Sequence, residues 1–340
     1  MSPVPLKLPV LILNPHSRCN CRCVMCDIWK ATEAREISAE DLERHVESIE
    51  QLGVEWVVLS GGEPLMHSDL FRLCAILSSR GIRVTLLSTG LLLERHAQGI
   101  VKNIDDVIVS LDGPPEVHDR IRRVPAAFET LRAGIQSIRA LRPDFPIAAR
   151  CTVQRLNFHH LQATVEAARE LRLNSISFLA ADLTSTAFNR PTVWGPERQT
   201  GVAVSIEDVP ALESQIAALI LAGECGGFVL ESPRKLRRIV HAFRVHAGLE
   251  DAVAPACNAP WVSAVVEPDG TVRPCFFHRP IGMVDANHTL FEILNGPEAV
   301  KFRANLVVAS DPTCRRCVCS LHWKPQPAAG VSSLAYGNKG

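Results

Sequence analysis

The chain has 340 residues, of which 47% are hydrophobic and 21% charged, and its formal net charge is zero. That length suits one large barrel-type domain or two domains. The neutral balance removes any general electrostatic drive toward nucleic acid or an anionic membrane, and the lack of an apolar run of about eighteen residues excludes a predicted membrane-spanning helix.

The opening "MSPVPLKLPVLIL" is broken by three prolines and has no small-residue cleavage site. It reads as a first strand rather than a signal peptide, so a cytoplasmic chain is expected. "PVLIL" (9–13) supplies that strand. A helix runs from a Ser38 cap to a Gly53 stop, followed by the buried-type strand "VEWVVLS" (54–60). The beat repeats: helix 68–81 from a Ser68 cap, strand 82–88, helix 91–102, strand 105–112, then a long helical pattern to Leu141. Strand 147–153, helix 157–172 and strand 175–180 close the series. Six buried strands alternating with five helices predict a parallel sheet with right-handed crossovers, forming a partial or complete barrel. Active sites of such folds gather at the carboxyl ends of the strands. The polar motifs fall there: "SGGEP" (60–64), "STG" (88–90), Ser110 and Asp112, with Arg150 inside the fifth strand.

After residue 182 the rhythm changes. A polar stretch to 205, with Phe188, Asn189, Arg190 and Trp194, reads as a lid or as a plain surface excursion. Helical patterns at 207–222 and 233–249 follow, then a hairpin, "WVSAVV" and "TVRPCFF" about the turn "EPDG". The divisions are 1–182 as the barrel core, 183–256 as a connector, 257–323 as a small cysteine-rich hairpin and helix domain, and 324–340 as a loose tail.

Twelve cysteines are unevenly placed. Cys19, Cys21, Cys23 and Cys26 crowd one loop after the first strand, Cys257, Cys275, Cys314, Cys317 and Cys319 lie near the other end, and Cys74, Cys151 and Cys225 stand alone. In a reducing compartment, clustering favours metal sites over disulfides. Three thiolates spaced C-x3-C-x2-C suit three irons of a cubane cluster whose fourth iron has no protein ligand. Zinc is the alternative, with Cys21 or His16 as a fourth ligand.

C-x3-C-x2-C after the first strand, with "GGEP" after the second, resembles the radical S-adenosylmethionine (radical SAM) superfamily over roughly residues 9–180. Met25 stands where that family often has an aromatic. The resemblance implies a partial (β/α)6 barrel in which Cys19, Cys23 and Cys26 hold a 4Fe–4S cluster, S-adenosylmethionine (SAM) chelates the fourth iron, and Cys21 is no ligand. It gives roles to the rim. Gly61 and Gly62 admit a ligand closely, Glu63 accepts from the methionine ammonium, and Pro64 fixes the exit. Ser88 and Thr89 meet ribose hydroxyls or the methionine carboxylate, Ser110 and Asp112 are further ribose candidates, and Arg150 pairs with the carboxylate or forms a structural ion pair.

C-x12-G-x4-C followed by C-x2-C resembles the auxiliary-cluster domains called SPASM and twitch, over 257 to about 323, with zinc again the alternative. The implied ligands are Cys257, Cys275, Cys314 and Cys317, with Cys319 able to replace Cys317, holding one auxiliary cluster that carries electrons or shapes the pocket. The implied activity is reductive cleavage of SAM to a 5′-deoxyadenosyl radical that takes a hydrogen atom from the substrate. Oxidation or epimerisation of a small secondary metabolite or sugar is expected, since only eighteen residues precede Cys19 and leave no room for a peptide-recognition domain. Peptide modification is the alternative, and a non-enzymatic zinc or iron–sulfur protein the remote one. Cys225 is a candidate hydrogen donor or a mere loop cysteine, alternation turns Cys151 away from the face of Arg150, and Cys74 reads as core. A flavodoxin- or ferredoxin-type protein is the expected electron donor, with no nucleic-acid or membrane partner.

Overall fold

The computed structural model describes residues 6–324. Its centre is a run of parallel strands: β1 (Val10–His16), β2 (Trp56–Gly61), β3 (Arg83–Ser88), β4 (Asp106–Ser110), β5 (Ile147–Val153) and β6 (Ser175–Ala180). Each pairs with its sequence neighbour, as buried strands joined by helical crossovers require. The crossovers are α1 (Ala39–Leu52), α2 (Leu70–Ser78), α3 (Leu93–Asn103), α4 (Pro115–Arg122), α5 (Ala127–Leu141) and α6 (Leu161–Glu170).

Local chemistry sets these boundaries. Ser38 caps α1 in a reciprocal capping box with Asp41, and Gly53 ends it at φ 69°. Ser68 does not cap α2. Its hydroxyl donates to Glu36 at 2.5 Å, and Asp69 takes the cap position without a side-chain bond. The long helix expected up to Leu141 is two helices, α4 and α5. Pro125 disfavours helical geometry at Val124, and the chain turns through Arg123 and Ala126 at φ 54° and 55°.

Strand alternation sorts the side chains. Leu11, Leu13, Val57, Leu59 and Leu86 pack outward in the main core, while Val10, Ile12, Trp56, Val58 and Leu87 line an interior cavity. Arg150 faces that cavity, and Cys151, the next residue, is fully buried on the other side. Cys74 is fully buried in the core.

Beyond β6 come α7 (Pro196–Thr200), α8 (Val209–Leu221), α9 (Pro233–His246) and α10 (Ala259–Val262), and then β7 (Ser263–Val266), β8 (Thr271–Arg273) and β9 (Gly282–Met283). The last helices are α11 (Leu290–Asn295), α12 (Pro297–Asn305) and α13 (Pro312–Arg315). The sheet crosses the boundary drawn at residue 257. β7 pairs in parallel with β1, and β8 and β9 follow antiparallel, giving the order β6-β5-β4-β3-β2-β1-β7-β8-β9. The tail expected to 340 lies, past Lys324, outside the described residues. Among the described residues no helix is long and apolar enough to cross a membrane.

Candidate metal centres

The first cysteine loop leaves β1 and is clasped by the turn after β2. Glu63 N–H donates to the Arg18 carbonyl at 2.9 Å. A Cβ on Gly62 would fall 2.0 Å from that carbonyl oxygen, so the glycine is needed because the cysteine loop itself passes there. Gly61 adopts φ 98° and lies close to Asn14 and His16. Pro64 opens a short 3-10 turn in which Glu63 accepts from Leu65 N–H at 3.1 Å.

Glu63 is fully buried, and burial raises its pKa despite the donors around it. Ser88 Oγ donates to it at 3.0 Å and Thr89 N–H at 2.6 Å, while Thr89 Oγ1 bonds Asn20 at 2.9 Å. These rim residues, expected at SAM, thus bind one another and the cysteine loop. Asp112 is likewise engaged. It has no exposed surface, accepts Thr152 N–H at 2.8 Å, and pairs with Arg122 at 2.5 Å.

Arg122 continues the chain of contacts to sulfur. It ends α4, and its Nη1 donates to Cys23 Sγ at 3.4 Å. A hydrogen bond from Cys21 and the Arg122 charge outweigh burial and bring Cys23 down to about 6, well below an ordinary thiol. Burial pushes Cys19 and Cys26 up to about 12, and each is raised further by the charge of neighbouring cysteines. Cys26 Sγ accepts Ile28 N–H at 3.4 Å.

The polar stretch after β6 acts as a strap over this loop. Trp194 Nε1 donates to Asp27 at 2.6 Å, Asn189 to the Asp27 carbonyl at 3.2 Å, and Arg198 to the Val24 carbonyl at 2.6 Å. Arg190 is held by Asp182 at 2.6 Å, donates to the Met25 carbonyl at 3.2 Å, and stacks on Trp194 at 3.6 Å. Sequence reading missed Arg122, Asp27 and Arg198. The only sequence signal was the density of Arg and Trp between 190 and 198.

The C-terminal cysteines converge from three segments, and all five border one cavity of about 210 Å³ that the barrel strands also line. The thiols of Cys257 and Cys275 face those of Cys314, Cys317 and Cys319, and all are free. Burial pushes Cys275 up to about 11 and Cys314 up to about 12. His278 Nε2 lies 3.4 Å from Cys314 Sγ.

Charge enters this cavity from Arg150, Lys235 and Arg238 and from one carboxylate, Glu231. Glu231 precedes the Ser232 cap of α9 and accepts Phe178 N–H at 2.9 Å. Burial lifts it to about 7, against the pull of that hydrogen bond and of Arg150. Arg150 Nε lies 3.3 Å from Ser177 Oγ, so the structure sets Arg150 beside the auxiliary cysteines. Ser110, half-buried, is its register partner on β4. Cys225 packs against the main core and is not among the cavity-lining residues.

Residues 13–168 match the family model of the radical SAM superfamily, and 257–318 match SPASM, an iron-sulfur cluster-binding domain. An Fe-coproporphyrin III synthase of Methanosarcina barkeri is 25% identical, over 98% of this chain and 86% of its own length. An AdoMet-dependent heme synthase of the same organism is 32% identical over 45% of this chain, which spans only 45% of that protein. Among solved structures, Streptococcus suis SuiB bound to S-adenosylmethionine shares the fold, with a TM-score of 0.65 at 15% identity, covering 93% of this chain and 74% of that one.

Proposed function

This chain is a radical SAM superfamily enzyme with a SPASM iron–sulfur domain, and from that premise we propose that it carries out a two-electron oxidation of a small molecule held in the cavity bordered by Glu231 and the C-terminal cysteines. The observation that carries this reading is the shared cavity: the auxiliary cysteines and the barrel interior line the same space.

The donor sets fit the groups this family uses. Cys19, Cys23 and Cys26 lie close enough on one loop for their charges to act on one another, and as three thiolates they would hold three irons of a cubane cluster, with Cys21 not a ligand. Cys257, Cys275, Cys314 and Cys317 would hold the auxiliary cluster, with Cys319 the alternative to Cys317. When bound, these groups supply a 5′-deoxyadenosyl radical from SAM, which removes a hydrogen atom, and an acceptor for the second electron.

The residues of the chain do the rest. Val58, Leu87 and Leu179 exclude water from the reacting carbon. Loss of a hydrogen atom and an electron leaves one proton to remove, and the Glu231 carboxylate is the base the cavity offers. Arg150 and Lys235 orient polar groups of the substrate beside it. Toward SAM, Ser110 is the rim hydroxyl best suited to a ribose, because Ser88 and Thr89 are committed to Glu63 and Asn20. Cys225, a candidate hydrogen donor for an epimerisation, is not among the residues lining the cavity.

The two M. barkeri relatives are named for making heme and Fe-coproporphyrin III, both non-peptide molecules. A peptide is the second reading. An open cleft of about 1010 Å³ beside Phe277, His278 and Cys317 favours it. The test is deuterium transfer into 5′-deoxyadenosine from deuterated extract fractions. Transfer from the low-mass fraction, with a product two hydrogens lighter than substrate, supports the proposal. Transfer from peptides alone, or a product of unchanged mass, overturns it.

A further inference from the structure

Arg122 is a charged side chain with no obvious reason to be where it is. It is 6% exposed and lies beside an apolar cluster of Val24, Val117 and Ile121. Burying a guanidinium there is costly unless it is paired and hydrogen-bonded. Its partners are two: Asp112 at 2.5 Å and the sulfur of Cys23 at 3.4 Å.

Both ends of this link are rigid. Asp112 is pinned by Thr152 N–H at 2.8 Å, and its carbonyl accepts Asn157 Nδ2 at 3.0 Å. The α4 end that carries Arg122 is laced to the cysteine loop by backbone bonds, Arg22 N–H to the Arg122 carbonyl and Val24 N–H to the Ile121 carbonyl, both 3.1 Å. A residue serving only to hold the loop would duplicate what these backbone bonds already do.

We infer that Arg122 is a positioning residue that makes the first iron–sulfur cluster easier to reduce, its fixed cation and N–H facing the Cys23 sulfur. The inference rests on the reading of Cys23 as a cluster ligand. Reduction adds one electron, and no proton, to a group already surrounded by thiolates. A buried cation hydrogen-bonded to a ligand sulfur stabilises the more negative form, and hydrogen bonds to sulfur are among the recognised controls of cluster potential. Among the described residues, Cys23 is the candidate sulfur that accepts from a side-chain cation, whereas Cys26 accepts a backbone N–H. Asp112 keeps the guanidinium aimed and tempers its charge, so Arg122→Met and Asp112→Asn should act in opposite directions.

The experiment is an EPR-monitored redox titration of the full-length, anaerobically reconstituted holoenzyme with dithionite, reading the signal that changes when SAM is added. Arg122→Met should raise the oxidised-to-reduced ratio at fixed potential tenfold or more, which is 59 mV for one electron. Arg122→Lys should stay within threefold of the parent. An Arg122→Met enzyme with full iron and an unmoved midpoint overturns the inference. If that variant holds no iron, Arg122→Lys and Arg122→Gln decide: the cationic variant must be at least threefold easier to reduce than the neutral one, and equality overturns the proposal. Cys23→Ala tests the underlying reading separately. Loss of the SAM-responsive signal upholds it, whereas retention removes Cys23 as a ligand and the inference with it.

Discussion

Cys19, Cys23 and Cys26 sit within one short loop, whereas the C-terminal cysteines come from three segments between Cys257 and Cys319. The local site is cheap to close but has no internal framework, so distant residues hold it: Arg122 from α4, and Asn189, Trp194 and Arg198 from the strap. The dispersed site closes long loops and gains its rigidity from the sheet, because β7 continues the barrel through β1. Chemistry differs as well. Cys23 is drawn down to about 6, while Cys314 is pushed up to about 12. Within the first site only Cys23 is drawn down, since burial raises Cys19 and Cys26 as it raises Cys314, so both sites release protons as they bind a metal.

The largest expected effects test this division of labour. Cys26→Ala should reduce SAM cleavage to background, while Cys314→Ala should leave cleavage intact but uncoupled from product, both followed by chromatography of 5′-deoxyadenosine. Full substrate turnover by Cys314→Ala would erase the distinction between the sites. Next, Trp194→Ala removes a buried ring that stacks on Arg190 and Arg198 and donates to Asp27. It should cost about 3 kcal/mol in denaturant unfolding and release iron from the first site before the second.

Glu231→Gln isolates the cavity. The folded protein holds the Glu231 proton more tightly than the unfolded chain, about 7 against 4.5. That contribution to stability is full below pH 4.5 and is lost as pH rises to 7. Glu231→Gln should therefore match the parent near pH 4.5 and exceed it at pH 8 by at most about 3 kcal/mol, read by thermal unfolding across pH. In turnover, the parent's rate should rise through pH 7 and the variant's should not. The smallest effect lies at Ala126, whose φ of 55° favours glycine. Ala126→Gly should stabilise by roughly 0.5–1 kcal/mol without altering iron content, a control for the turn that carries Arg122.

Periodicity alone made the barrel legible. β5 and β6 run over 147–153 and 175–180, as read from their apolar runs, and Ser38 and Gly53 bound α1 as their chemistry requires. The cysteine loop was legible because its spacing is short and local. What sequence hid was pairing across distance. Arg122 reads as one more charge in "HDRIRR" until α4 is folded against residues 22–24. Glu231 looks like a surface carboxylate until β6 covers it. Asp112 and Arg150 were legible as polar groups near the strand ends, but their neighbours, Arg122 and Ser177, come from elements distant in sequence. The sheet's continuation through β7 was equally hidden, since a hairpin's own pattern does not reveal what lies beside its outer strand.

The most direct measurement is EPR of the anaerobically purified, dithionite-reduced enzyme with and without SAM. Two reduced-cluster signals are predicted, of which only one, absent in Cys26→Ala, changes shape when SAM is added. Two signals that both ignore SAM, or a colourless protein holding zinc, would contradict the claim that the cysteine loop after β1 keeps an open iron for SAM.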